Sequence, residues 1–450
     1  MLAFVAALSF VLAPSDGLPK SPAKSVGMSA ERLAKVDRVV NRGITGGGFP
    51  GASVVIGRRG SAVFEKGFGH LGWTAQSPLV NPDRTIYDLA SLTKVVGTTT
   101  AAMILYDEGR LDLNAPVSKY LPAFSGGLKD QVTIRHLLTH RSGLPPGRDL
   151  WRLANSPDEA KSIVLSTPLA CRPGDCYQYS DLGADVLGWT IEAIAGQGLD
   201  SFLQDRVFGP LGMSDTEFRP ADSLRTRIAP TEVSPPRGYP IQGEVHDENA
   251  FALGGVAGHA GLFSTAADLS IFAQMMLNKG EYDGVRIVSD SAVELFTRRA
   301  AGSRALGWDT AEGESSSGVY LSDNAFGHTG YTGTSMWIDP DREMFVILLT
   351  NRVHAARARR PAKVISDVRA DLADAAAVAV VDADMVLDVP RSYRSDRAVG
   401  WNRSPVRRSR SKGHVKSAKS SSSKSASAKK STPRPKPSVA KARSKSRSGA

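Results

Sequence analysis

The sequence predicts an α+β domain: one mostly antiparallel sheet built from both ends of the chain, flanked by helices, with a mostly helical lobe inserted between. Three observations predict it. Strand patterns stand early, in "GASVVIGRRGSAVFEKGFGH" (51–70). They return late, in "TSMWIDPDREMFVILLTNR" (334–352). From about Leu111 to Arg298 the chain reads as helices and loops. A cleft between sheet and lobe is then the natural place for a site.

The elements follow in order. "SAERLAKVDRVVNRGI" has helical periodicity, with Leu33, Val36, Val39 and Val40 on one side. The 51–70 stretch is two apolar runs around a Gly-containing turn, a hairpin pattern. An apolar helical run begins at Ser91. "TIRHLLTHRSGLPPG" is a short helix stopped by Ser-Gly and Pro-Pro. "STAADLSIFAQMMLNKG" is an amphipathic helix with Ser264 as its N-cap and Gly280 just past its end. The late hairpin turns at Asp339-Pro340-Asp341. "PAKVISDVRADLADAAAVAV", opened by Pro361, is a closing helix.

Length and composition suit a large folded domain: 450 residues, 41% hydrophobic, 22% charged. The net charge of +11 is not spread evenly. Of the 56 Lys and Arg, 16 lie between Trp401 and Ala450, where there is no Asp or Glu. The first 400 residues therefore hold 40 basic and 45 acidic side chains, a net of −5. Three regions result: a signal-like segment and linker (1–26), a folded domain (27–385) and a basic Ser/Lys/Arg-rich tail (386–450). The tail has too few apolar residues to fold, so the expectation is disorder. Its charge suits an anionic envelope polymer or lipid headgroup, or nothing specific. It has no aromatic residue after Trp401, so nothing supports base stacking, and nucleic acid is not the expected partner of an exported chain.

"MLAFVAALSFVLAPSDG" holds an apolar stretch from Leu2 to Ala13, too short to span a bilayer. It reads as the core of a secretory signal lacking a basic start, which predicts a periplasmic or secreted protein; an ordinary buried segment in a cytoplasmic protein is the alternative. The two cysteines, Cys171 and Cys176, flank a Pro-Gly turn in "CRPGDC". A small-loop disulfide and two free thiols both fit. No second Cys or His pair stands at metal-ligand spacing.

Chemistry points to "YDLASLTKVVG", where Ser91 and Lys94 stand three apart at the head of an apolar run. A serine hydroxyl needs a base to become a nucleophile; a lysine three residues on reaches it if both point into a cleft, and acts as that base if burial lowers its pKa. Five other Ser-x-x-Lys matches, from Ser21, Ser409, Ser421, Ser427 and Ser438, lie in polar linker or tail. Spacing alone therefore decides nothing. Two distant stretches add weight. "YQYSDLGADVLGWTIEAI" puts Tyr179, Ser180 and Asp181 at the head of another apolar helix. "FGHTGYTGTSMWIDP" puts His328, Thr329 and Gly330 at the start of the late strands, where a glycine-flanked edge admits a substrate backbone.

"SLTK", "YSD" and "HTG", in that order, resemble the three motifs of the serine β-lactamase and penicillin-binding protein superfamily, in the branch of class C β-lactamases, D-alanyl-D-alanine peptidases and related esterases. "TIRHLLTHRSGLP" and "GLFSTAADLSIFAQMMLN" add to the likeness, and "GEVHDENAFALGGVAGHAGLFS" is similar to penicillin-binding-protein-4B-like carboxypeptidases. The resemblance spans about residues 28 to 380 and implies a β-lactamase/transpeptidase-like fold. It also implies acyl transfer to water through an ester intermediate, without metal or cofactor. It assigns Ser91 as the acylated nucleophile, Lys94 as its base and positioning partner, and Tyr179 as activator of the serine or of the deacylating water. His328 and Thr329, with Gly330, would bind a substrate carboxylate and support Tyr179. The N–H groups of Ser91 and Tyr331 would form the oxyanion hole. Substrates would be cell-wall peptides, with a D-alanyl-D-alanine carboxypeptidase or related peptidase first, and a class C-like β-lactamase or carboxylesterase as alternatives.

Two departures bear on this. Asp181 stands where the branch has Asn, and an ionised Asp cannot donate to an acylamide carbonyl. It is free to pair with Lys94 or to favour a substrate ammonium. His328 stands where many relatives have Lys, and a neutral imidazole attracts a carboxylate less. Both favour peptidase or esterase activity over β-lactam hydrolysis. A reading of another class is a non-catalytic envelope-binding protein, against which Ser91, Lys94 and Tyr179 argue. "SDN" at Ser322–Asn324 mimics another family motif but lies in the wrong lobe. His136 and His140 read as a helix-packing pair, His246, Asp247 and His259 as shapers of a Gly-rich loop, and Trp308 as packing.

Overall fold

The computed structural model describes residues 15–233, 237–311, 316–354, 362–382, 384 and 387. The apolar signal-like stretch, the basic tail beyond residue 387 and Pro361 lie outside the described residues. Among the described residues, no helix is long and apolar enough to cross a membrane.

Both chain ends build one sheet. Its strands are β1 (Gly51–Arg58), β2 (Ser61–Gly69), β3 (Asp309–Thr310), β4 (Phe326–Thr329), β5 (Ser335–Asp339) and β6 (Met344–Thr350). Their order across the sheet is β2-β1-β6-β5-β4-β3, antiparallel throughout. The N-terminal hairpin joins the C-terminal strands where β1 pairs β6, Ala52 opposite Thr350 and Arg58 opposite Met344. β1 and β6 are buried along their whole lengths, since both faces are covered. Their side chains divide by the two-residue period of a strand. Val54 and Ile56 join Met344, Val346 and Leu348 beneath two helices, Lys35–Thr45 and Ala362–Ala377. Val55 joins Phe345, Ile347 and Leu349 in the larger core shared with the inserted lobe. Strands covered on both faces read as continuous apolar runs, which is how β1 and β6 appear in the sequence.

The lobe also holds a small three-stranded sheet, Tyr87–Asp88, Leu262–Ser264 and Glu217–Phe218, which tethers the chain just before Ser91. Three local expectations change. Ser264 is not a helix cap: it ends a strand, and Thr265 caps the helix Ala266–Leu277 by accepting from Asp268 N–H at 3.1 Å. The first predicted helix is two, Ala30–Leu33 and Lys35–Thr45. The run at Ser91 does not open as an α-helix. It is a 3-10 turn, Ala90–Leu92, then a wide π-type turn, Lys94–Thr99, before the α-helix Thr100–Asp107.

Candidate active site

Ser91 is placed by the turn before it. Ala90 has φ +46°, a left-handed conformation that costs a side-chain-bearing residue energy and persists where its surroundings hold it. Ala90 N–H donates to Asp88 Oδ1 at 2.8 Å, and His246 N–H donates to Asp88 Oδ2 at 2.6 Å. The hydroxyls of Thr332 and Thr334 donate to the carbonyls of Asp88 and Leu89 at 2.7 and 2.9 Å. The turn after β4 is thereby clamped to the turn that carries Ser91. Gly330 is required there, because a Cβ on it would lie 2.3 Å from Leu89 O and 2.1 Å from Thr334 Oγ1. Arg369, from the C-terminal helix, donates to Gly330 O and Thr334 O at 2.6 and 2.8 Å. Tyr331 is exposed, its ring 5.8 Å from the His246 imidazole and 5.3 Å from the Arg352 guanidinium.

Lys94 is buried, and its ammonium donates to Ser91 Oγ at 3.1 Å and to His259 O at 3.0 Å. It lies 2.7 Å from Asp181 Oδ1 and 4.9 Å from the centroid of the Tyr179 ring. The expectation that burial lowers the Lys94 pKa is corrected here. Burial does pull it down, but the Asp181 carboxylate and Tyr179 outweigh burial, and the pKa stands above the ordinary lysine value. Lys94 is therefore an ammonium that donates to Ser91.

Tyr179 and Asp181 straddle Ser180, which caps the helix Asp181–Ala195 by accepting from Gly183 N–H at 3.1 Å. Asp181 thus sits in the first turn, where a carboxylate is favoured. The loop before it is closed by a Cys171–Cys176 disulfide and tied by Gln178 N–H to His140 O at 2.8 Å.

His140 is the residue whose position the sequence reading missed. It lies past the end of the helix Ile134–Leu138, at φ +53°, beneath the Tyr179 ring at 4.5 Å between centroids. Its Nδ1 accepts from Ser180 N–H at 3.2 Å. His136 stays on the helix and completes a capping box with Thr133. Arg304, buried and paired with Asp309, places its guanidinium 5.5 Å from the Tyr179 centroid. Nothing in "GSRALGW" marked it. His328 is buried on β4, its ring 6.0 Å from that of Tyr179, and its Nδ1 is 2.8 Å from Thr329 O. Burial first, then the charges of Arg304 and Lys94, hold both His140 and His328 well below the ordinary histidine pKa, so both are neutral at pH 7. Ser91, Lys94, Tyr179, Asp181 and His328 therefore meet at one place, with Gly330 against Leu89 alongside.

The remaining singled-out residues have structural partners. Ser322 and Asn324 bind Asp339 and Asp341 and brace the β5–β6 turn. Trp308 is fully buried edge-on to Phe326. Asp247 caps the helix Glu248–Ala252, and His246 faces Glu232 at 2.7 Å. Among the described residues, no group of three or more His, Cys, Asp or Glu could hold a metal ion.

Comparison with known proteins bears on the family and the fold. A profile of the family described as "Beta-lactamase" matches residues 36–369. The chain is 34% identical over 369 residues to the N-acetylmuramyl-L-alanine amidase of Bacillus subtilis (strain 168), covering 74% of this chain and 83% of that one. It is 33% identical over 367 residues to a Salmonella paratyphi B protein provisionally named D-alanyl-D-alanine carboxypeptidase, covering 73% and 85%. A penicillin-binding protein homologue from Caulobacter crescentus shares the fold with a TM-score of 0.61 at 22% identity, covering 78% of this chain and 98% of that one.

Proposed function

The chain belongs to the beta-lactamase family, and from that premise we propose that it is a serine hydrolase that cleaves amide or ester bonds of cell-wall peptides through an acyl-enzyme on Ser91. The observation that carries this is the Lys94 ammonium, shared between Ser91 Oγ, Asp181 and the Tyr179 ring. Two relatives above 30% identity carry names of enzymes that act on cell-wall material, and both names describe amide cleavage. They also support an exported or envelope location.

In this reading Ser91 Oγ attacks the substrate carbonyl carbon. Its proton passes to the Tyr179 oxygen as the phenol's own proton passes to the leaving nitrogen or oxygen, whose bond to carbon breaks, while the Lys94 ammonium steadies the charge that develops along this relay. Water enters by the same route in reverse and frees the acid. The N–H groups of Ser91 and Tyr331 receive the developing oxyanion, which is where fixed donors contribute most. Neutral His140 and His328 flank Tyr179 without adding cationic charge. Asp181 offers no N–H donor to an acylamide carbonyl, which disfavours β-lactam turnover. D-Alanyl-D-alanine carboxypeptidase or a related peptidase is the leading activity, with ester hydrolysis next.

The test is turnover by purified wild type and Ser91→Ala on a D-alanyl-D-alanine peptide, a penicillin and p-nitrophenyl acetate. We expect peptide or ester hydrolysis that Ser91→Ala abolishes, and slow or absent penicillin hydrolysis. Equal rates in the two proteins would remove Ser91 from the mechanism.

A further inference from the structure

His259 lies directly behind Lys94 and has no part in the three motifs. It is 2% exposed and held at both ring nitrogens. Nδ1 lies 2.7 Å from Asp185 Oδ1, and Nε2 lies 3.0 Å from Asp247 Oδ1. The His259 N–H also donates to Asp185 Oδ1, at 3.3 Å. A neutral imidazole has one N–H donor, so its other nitrogen would set a lone pair against a carboxylate oxygen; only the doubly protonated ring donates to both Asp185 and Asp247. Burial opposes that charge, and Asp185 and Asp247 outweigh it, leaving the imidazole pKa well above the ordinary value. Asp247 Oδ1 also accepts from the N–H groups of Asn249 and Ala250, each at 2.9 Å.

This buried cation is joined to the Lys94 ammonium by the main chain. His259 O is one of the acceptors of Lys94 Nζ. Asp185 stands four residues after Asp181 on one helix, so the two carboxylates project from the same helix face. One meets Lys94 and the other meets the ring whose own carbonyl meets Lys94. The flanking backbone is pinned too. Thr98 Oγ1 donates to Gly258 O at 2.6 Å, and a Cβ at Gly258 would lie 2.0 Å from Ala184 O. The arrangement therefore ties three elements, the turn at Lys94, the Asp181–Ala195 helix and the Gly-rich loop, at one carbonyl oxygen.

We propose that His259, clamped as a cation by Asp185 and Asp247, is a positioning residue that holds its carbonyl oxygen against Lys94 and so fixes the ammonium between Ser91 and Asp181. The inference rests on the reading that Lys94 serves acyl transfer at Ser91. His259 does not touch the reacting atoms. Its effect is geometric, through one hydrogen bond, and electrostatic, through one buried charge. The charged and titratable groups around that bond are Asp181, Tyr179 and Lys94 on one side, with His140, His328 and Arg304 behind Tyr179. On the other side are Asp185 and Asp247, with His246 and Asp88 beyond Asp247.

The experiment measures single-turnover acylation of the full chain by p-nitrophenyl acetate against pH, in wild type, Ser91→Ala, His259→Gln and Asp185→Asn. Wild type against Ser91→Ala tests the site itself: no burst difference between them ends the reading on which the inference rests. With that difference present, the His259 and Asp185 variants decide the inference. His259→Gln is expected to lower the acylation rate constant about tenfold or more with KM changed less than about twofold, because only the reacting geometry is disturbed. The pH limbs should move in opposite directions. Removing the His259 cation favours a protonated Lys94 and shifts the limb up; removing the Asp185 anion, with Asp247 still holding the ring, shifts it down. A merely structural role would lower thermal stability and leave the rate constant and limb of the folded protein unchanged, which overturns the proposal. Limbs moving the same way in His259→Gln and Asp185→Asn overturn it as well. Should His259→Gln not fold, Asp247→Asn, which keeps an oxygen for the helix cap, replaces it with the same expected rate loss; its limb should then move down, as in Asp185→Asn, and an unmoved or upward-shifted limb overturns the proposal.

Discussion

The Lys94–Asp181 pair makes the sharpest forecast, for the variant Asp181→Asn. The two side chains lie 2.7 Å apart, Lys94 4% exposed and Asp181 33% exposed. At an effective dielectric constant of about 20 the gross attraction is roughly 6 kcal/mol, most of it offset by the desolvation of Lys94. Removing one partner of a fully buried pair costs about 3–5 kcal/mol. Three features reduce that here. Asp181 is one-third exposed, Asn keeps a carbonyl oxygen near Nζ, and Ser91 Oγ and His259 O still accept from Lys94. The expected loss is about 1–3 kcal/mol, a fall in Tm of about 2–5 °C for a domain of this size. The pH dependence follows from the raised Lys94 pKa. A group whose folded pKa exceeds its unfolded value gives its full stabilisation below the unfolded value, about 10.4, and loses it as pH rises through the folded one. The gap between wild type and variant should thus be constant around neutrality and close above about pH 10. Thermal and denaturant unfolding across pH 6–11 measure it, and the acylation limb should move to lower pH as the Lys94 pKa falls. An Asn variant as stable as wild type, with an unmoved limb, refutes the argument that Asp181 keeps Lys94 charged.

Further predictions come from other contacts. Gly330→Ala forces a Cβ against Leu89 O and Thr334 Oγ1, so it should cost about 1–3 kcal/mol of stability and slow acylation severely, read by unfolding and by burst kinetics. Opening the Cys171–Cys176 ring, which spans a sequence separation of 5, should cost at most about 2 kcal/mol and slow acylation, since that loop leads into Tyr177–Tyr179; reductant and a Cys171→Ser/Cys176→Ser variant should agree. Burial raises the Asp268 pKa to about 7, so the wild type should lose about 3–4 kcal/mol as pH rises from about 4 to about 7. In Asp268→Asn that slope should vanish, as denaturant titrations at pH 5 and 8 would show.

Much of this was legible in the sequence, and what was not has physical causes. The two hairpins were legible because each pairs apolar runs around a Gly or Asp-Pro-Asp turn, and β1 and β6 fall where those runs lie. Ser91, Lys94, Tyr179 and His328 were singled out by motif order, and the fold brings them together. The start of the Ser91 run was misjudged because the left-handed Ala90 and the clamp of Thr332 and Thr334 are tertiary effects that an apolar pattern does not encode. Thr265 displaced Ser264 as cap because a strand pairing with Tyr87 took Ser264 first. His140 reads in the sequence as a packing residue and His259 as a loop-shaping one, since a histidine gains its role from neighbours distant in sequence. A signal for His259 was present: Asp185 is a charged residue inside the apolar run "LGADVLGW", and a buried carboxylate needs a partner. The Lys94 pKa stands opposite to the direction burial alone gives, because the Asp181 carboxylate, which the sequence leaves free to pair with Lys94, lies 2.7 Å away and with Tyr179 outweighs burial.

The central claim is that Ser91 carries the acyl group. Incubation with p-nitrophenyl acetate or a fluorescent penicillin, acid quench and peptide mass spectrometry test it directly. The account predicts one acyl adduct on the peptide containing Ser91, absent from Ser91→Ala and diminished in Lys94→Ala. An adduct on another residue, or the same labelling in Ser91→Ala, would contradict it.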